Sequence, residues 1–288
     1  SSSNNAVVSA SNKNGAIKLR ANTAGKATVT FKIGKVTKTV DFIVTATERE
    51  VTTVTPSEKS FALVDGKERT IEIETLDQYG DPINVFSWGG KAITWPEYVS
   101  VDVPQTANHK NIVSVSPFAT DYEGKTICGA TIKGKTEGKG TVYFKDLSGE
   151  KLGSVDVTVT NVDNHDKTVV EKTVGSLGLS DTFSVGSSVS YHVTHLNTNG
   201  AYNGNVFLNL KADKDEQATY TVGAVDPTVA KVTLNHDKQS FTVTGLKEGS
   251  TDIKITDYAG NLKHSFTVTV TEEKVVTTNA KGEYEFTN

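Results

Sequence analysis

The sequence predicts an all-β chain made of repeated sandwich domains, and three observations carry that expectation. Strand-length segments alternate apolar and polar residues, as in Val155, Val157 and Val159 against Asp156, Thr158 and Thr160, which sets one face on a core and the other in water. Such segments recur at a long, nearly constant period. No stretch carries a convincing helical pattern, and the Val/Thr-rich composition argues against one.

The period is read from three segments that each open with glycine and continue as a strand: Gly25 to Phe31, Gly138 to Phe144, and Gly249 to Ile255. About sixteen residues after each glycine comes a second strand, Val40–Thr45, Val155–Thr160 and Phe266–Thr271, at the spacing of a closing hairpin. The opening glycines lie 113 and 111 residues apart, which matches the ~100 residues of an immunoglobulin-like (Ig-like) sandwich. The predicted fold is therefore a tandem of Ig-like β-sandwich domains. Residues 1–47 hold the later half of a repeat, a partial or small Ig-like domain whose segments 28–33 and 38–45 form a hairpin. Residues 48–160 and 161–271 are two separate sandwiches, and 272–288 is a linker or the first strand of a further domain. Asp-Gly, Tyr-Gly-Asp-Pro, Ser-Gly and Ala-Gly-Asn at 65–66, 79–82, 148–149 and 259–261 punctuate the strands with turn-forming residues.

Composition narrows the function classes. A chain of 288 residues exceeds what one core usually serves, so several modules are expected. Net charge −4 supplies no basic field for phosphates, which disfavours nucleic-acid binding. No run approaches the ~20 apolar residues of a membrane helix, so no membrane insertion is expected. The single cysteine, Cys128, cannot form an internal disulfide, and packing must supply the stability.

Two segments carry a family resemblance. Asp226–Val232, followed by Phe241-Thr242-Val243-Thr244-Gly245-Leu246-Lys247-Glu248-Gly249, resembles the bacterial Ig-like group 2 signature, with weaker copies in Ile112–Val115 with Gly138–Thr141 and in Ile17–Gly25. Leu76-Asp77-Gln78-Tyr79-Gly80-Asp81-Pro82 resembles a segment common in Ig-like domains of bacterial surface-layer (S-layer) proteins. The resemblance implies an extracellular, non-enzymatic, structural role: domains acting as spacers and lattice contacts in a cell-wall array that self-assembles from copies of itself. Cell-wall polysaccharide would be held through regions outside these residues. An adhesin stalk and an accessory carbohydrate-binding module of a secreted hydrolase remain alternatives.

Chemistry-bearing patterns are sparse. No nucleophile elbow, His-Glu-x-x-His, phosphate loop or zinc-type cysteine pair occurs. His192 and His195 point to opposite faces of a strand, which disfavours a shared metal. Asn161, Asp163, Asn164 and Asp166, between the second and third repeats, form the best candidate for calcium, because hard oxygen ligands suit such a loop; Asp213, Asp215 and Glu216 form a second acidic loop. No cofactor is required by any of these patterns. Trp88, Trp95 and Tyr98 are the densest aromatic cluster and could stack on a glycan or anchor a partner, against the simpler reading that they fill a core. Cys128 has no basic neighbour in sequence to activate it, and reads as a small strand residue.

Overall fold

The computed structural model describes residues 1–13, 16–45, 49–83, 99–122, 125–211, 219–272, 276–278 and 284–286. All regular structure among them is β-strand. Two compact units result, one of Ser1–Arg49 with Lys274–Asn288 and one of Glu50–Glu273. In the first, β1 (Val8–Lys13) pairs antiparallel with β2 (Ala16–Ala21), and β3 (Gly25–Ile33) with β4 (Val36–Val44). A small core of Val7, Val8, Ala27 and Val29 holds these hairpins together.

The longer unit contains two sandwiches. The first is built from β5 (Val51–Pro56), β6 (Ser60–Val64), β7 (Glu68–Asp77), β8 (Ser100–Asp102), β9 (Val113–Tyr122), β10 (Lys125–Gly134), β11 (Gly138–Lys145) and β12 (Lys151–Thr160). One sheet runs β5-β7-β10-β9, and β6, β12, β11 and β8 form the facing sheet. Inward residues of both, among them Leu63, Ile71, Ile132, Val142, Phe144 and Val157, make one core. The second sandwich follows with β13 (Lys167–Lys172), β14 (Thr182–Ser184), β15 (Ser188–Leu196), β16 (Tyr202–Asn205), β17 (Leu208–Asn209), β18 (Tyr220–Ala224), β19 (Ala230–Leu234), β20 (Ser240–Gly245), β21 (Gly249–Thr256) and β22 (Leu262–Thr271). Here β14-β22-β21-β18-β17 faces a sheet containing β19, β20, β15 and β16, around a core that includes Tyr191, Val193, Phe241, Ile253 and Val268. In the tail, β23 (Val276–Thr278) pairs with β24 (Tyr284–Phe286) as a hairpin.

The repeat seen in sequence is a repeat of contacts. Gly25, Gly138 and Gly249 each lie under a β-branched residue, Val7, Ile112 and Val229, so that an added Cβ would come within 2.8, 2.9 and 3.3 Å of it. The carbonyl oxygens of the same three residues accept the N–H of Asn22, Lys135 and Leu246 at 2.9, 2.9 and 2.8 Å. In each hairpin that follows, a threonine hydroxyl donates across the strands to an aspartate: Thr28 to Asp41, Thr141 to Asp156 and Thr267 to Asp252, at 2.6, 2.6 and 2.7 Å. All three take positive φ, which favours glycine, and at Gly25 and Gly138 the β-branched residue also crowds the space a side chain would fill.

One feature departs from a pair of separate sandwiches. Although each has its own core, a parallel bridge between Leu63 of β6 and Tyr202 of β16 joins their sheets into one of nine strands.

Two substitutions test the packing. Phe241→Ala empties fully buried volume and should cost about 3–5 kcal/mol in urea unfolding. At Gly153 an added Cβ would lie 1.9 Å from the Val54 carbonyl oxygen, so Gly153→Ala should cost at least about 1–3 kcal/mol in the same measurement.

Candidate functional site

The densest polar chemistry among the described residues lies where the two sandwiches meet. In β7, Ile71 and Ile73 point into the core, and Arg69 has the same parity, so a cation is delivered to the inward face at the end of the sandwich. Its side chain is only 17% exposed. The guanidinium donates through Nε to Glu58 Oε1 at 2.9 Å and, as a two-pronged fork, to Glu171 Oε2 and Oε1 at 3.1 and 3.2 Å. It also lies 6.0 and 5.5 Å from the ring centres of Phe61 and Tyr202. Glu171 comes from β13 of the second sandwich, and its register partner on β15 is His192, whose Nε2 donates to Glu171 Oε2 at 3.2 Å.

Electrostatics follow from this enclosure. Burial opposes the Glu171 charge, but the His192 hydrogen bond and the Arg69 charge outweigh it and hold the carboxyl down at about 2. Burial likewise opposes the charge on Arg69, and Glu171 with Glu58 more than offsets it, leaving the guanidinium above its ordinary value. Burial raises Tyr202 to about 12, with Glu171 and Glu68 adding to the shift and Arg69 opposing it. A cleft of about 600 Å³ opens beside these groups, lined among others by Arg69, Glu171, His192, Tyr202 and Asn205.

The linker is pinned beside this cluster. Asn197 ends β15 in a tight corner: its Oδ1 accepts the N–H of Asn199 and Ala201 at 2.9 and 2.8 Å, and its Nδ2 donates to the Val162 carbonyl at 2.7 Å. Asn164 Oδ1 accepts from the Thr198 N–H at 2.9 Å, while Asn203 Nδ2 donates to Asp163 Oδ1 and to the Asn164 carbonyl, both at 2.9 Å. Asn161 Nδ2 donates to Glu137 Oε2 at 2.9 Å. Asp166 is exposed, its backbone N–H donating to Leu196 O at 3.0 Å. Of the four residues read as calcium ligands, Asp163 Oδ1 and the Asn164 carbonyl thus converge on one partner, Asn203 Nδ2, while Asn161 and Asp166 hydrogen-bond elsewhere. Among the described residues no group of three or more His, Cys, Asp or Glu is placed to hold a metal.

Other candidates fall elsewhere. His195 does not join His192: its Nε2 lies 3.2 Å from the Tyr220 hydroxyl, and its ring stacks on His165 with centroids 3.3 Å apart. Burial lowers His195 to about 4, with the neighbouring His165 adding to the shift; His165 is lowered by burial and by Lys263, against Asp166. Cys128 is buried, and burial raises its thiol to about 11, which leaves it unreactive near neutral pH. Trp88, Trp95, Tyr98, Asp213, Asp215 and Glu216 lie outside the described residues. The Arg69 cluster was missed in sequence, although a charged residue at the inward parity of Arg69-Thr70-Ile71-Glu72-Ile73 was a visible signal for it.

The joint makes distinct expectations. Arg69→Met removes the guanidinium from Glu171 and Glu58, leaves Glu171 only His192, and should cost about 2–5 kcal/mol in chemical denaturation. Asn197→Asp keeps the corner's acceptor but removes the donor to Val162, and should raise hydrogen exchange across 161–166 while leaving the two cores protected. Acid should act in two windows. Because folding depresses His195, its neutral form stabilises fully above about 6.5, and that contribution is lost as pH falls toward 4. Glu171 is depressed from 4.5 to about 2, so its contribution is lost only below about 4.5. His195→Phe should reduce the upper window of a stability–pH titration, to which the depressed His165 and His264 also contribute, and leave the lower one in place.

Comparison with known proteins places this architecture. The chain is 34% identical to an S-layer protein of Bacillus licheniformis over 97% of its own length, and 30% identical to S-layer protein EA1 of Bacillus anthracis over 88%. It spans about a third of the length of these curated relatives, 30% and 27% respectively. Domains 4–9 of the surface layer protein SbsC superpose with a TM-score of 0.51 at 18% identity, over 92% of this chain and 38% of that one, a likeness of fold. Residues 216–271 match the family described as the pilus formation protein N terminal region. With Ig-like sandwiches and extended identity of this kind, the chain is a homologue of bacterial S-layer proteins.

Proposed function

We propose that the chain is a stiff spacer segment of an extracellular bacterial surface array, contributing Ig-like modules that set distance and present contacts to other copies. The observation that carries this is the 34% identity to an S-layer protein along 97% of the chain. The joint supports the same reading. A spacer must resist bending between modules, and here the linker side chains, the sheet bridge and the Arg69 clamp all act against it. A non-enzymatic role fits the cleft, where Glu58, Arg69, Glu171 and His192 pair with one another and the Ser240 hydroxyl is tied to Asp237 inside a turn. Contacts repeated over an array need little affinity each, because symmetry and avidity multiply them.

The test is electron microscopy of cells that produce the protein with residues 161–271 deleted. Loss of the ordered array, or a changed repeat spacing, is the expected outcome. An array of unaltered spacing would reject the spacer role.

A further inference from the structure

The first sandwich receives the second through a compact socket. Ala62 of β6, Glu137 with Gly138 and Lys139, and Thr158–Thr160 of β12 lie around Asn199 and Ala201 of the Asn197 corner, while Leu63 bridges Tyr202. The second sandwich carries the same socket at its own far end. Its counterparts are Thr182–Ser184, Glu248–Ser250 and Thr269–Thr271, and Glu-Gly at 137–138 and Thr-Val-Thr at 158–160 recur unchanged at 248–249 and 269–271.

The frameworks agree bond for bond. Leu63 pairs in parallel with Val159 as Phe183 does with Val270. The N–H of Asp65 donates to Thr160 O as that of Val185 does to Thr271 O, both at 2.9 Å. Gly66 N–H reaches Gly134 O at 3.2 Å as Gly186 N–H reaches Gly245 O at 2.9 Å. Cover differs, and so does the cation, since Val189 stands at the register position of Arg69. Leu63, Val64 and Thr160 are buried, whereas Phe183 and Ser184 are partly open and Thr271 is exposed. β14 ends its sheet, and no described strand pairs with its outer edge.

We propose that β14, with residues 248–250 and 269–271, is a second socket whose occupant is an Ig-like module tethered beyond Thr271. That module would present an Asn- or Asp-led corner closed by glycine, and the strand after the corner would bridge Phe183. The occupied copy of the socket supplies the argument for this occupant, and its size supplies the argument for the tether. A corner and one bridged residue pair bury far less than the ~800 Å² per partner of a stable free association, so the effective concentration given by a short linker is needed. The proposal does not depend on the surface-array reading.

The experiment uses the whole chain with a second copy of residues 161–271 inserted between Thr271 and Glu272, followed by hydrogen exchange. Exchange across 182–185 should slow at least tenfold, and Asn197→Ala in the inserted copy should reverse most of the gain. If the inserted copy does not fold, residues 50–160, which carry the equivalent Asp77 corner, take its place. Unchanged exchange beside a folded insert would overturn the proposal. Equal slowing by the same module added as a free protein would overturn the tether and assign the socket to contacts between copies.

Discussion

The geometry of the long unit depends on one desolvated cation. Arg69 stands at an inward strand position, where leaving it unpaired would cost several kcal/mol, so it has to be met by carboxylates in a fixed arrangement. Glu58 comes from its own sandwich and Glu171 from the next. A planar guanidinium accepts a carboxylate fork only over a narrow range of angles, so meeting this requirement orients one sandwich against the other. The nearby sheet bridge adds little energy with a single residue pair, but it fixes the register in which the clamp closes.

A second constraint acts through the corners. Four turns share one plan, led by Asp77, Asp146, Asn197 and Asp257, with a glycine three residues on whose N–H returns to the leading carbonyl. Those glycines, Gly80, Gly149, Gly200 and Gly260, take φ of 79, 91, 72 and 85°, the left-handed region that other residues enter at a cost. The leading side chain accepts backbone N–H groups from inside the turn, which makes the loop rigid enough to dock as a unit.

Much of this fold was legible in the residues. Alternation such as Val155-Asp156-Val157-Thr158-Val159 announced the strands, and the spacing of Gly25, Gly138 and Gly249 announced the repeat, because each glycine takes the same positive φ beside a β-branched neighbour. The joint was legible only in part. Asn161, Asp163 and Asn164 were singled out as a polar cluster, but three of the groups that engage them, Glu137, Thr198 and Asn203, lie 24 to 40 residues away, so chain order could not show these partners. Arg69 carried a local signal in its parity, while the identity of its partner, 102 residues on, did not.

The comparison of Asp77 with Asn197 shows how a repeat is specialised without altering its fold. Both side chains are almost fully buried, and both satisfy the same two N–H groups of their corner, so either residue type serves the turn itself. A carboxylate has only acceptors, whereas an amide keeps acceptor and donor in one group. At 197 the donor meets the carbonyl of Val162, a linker group, at 2.7 Å. The exchange of one oxygen for one nitrogen thus lets the leading side chain itself reach the chain entering its domain, whereas in the Asp77 corner it is the neighbouring Gln78 Oε1 that accepts the N–H of Glu50.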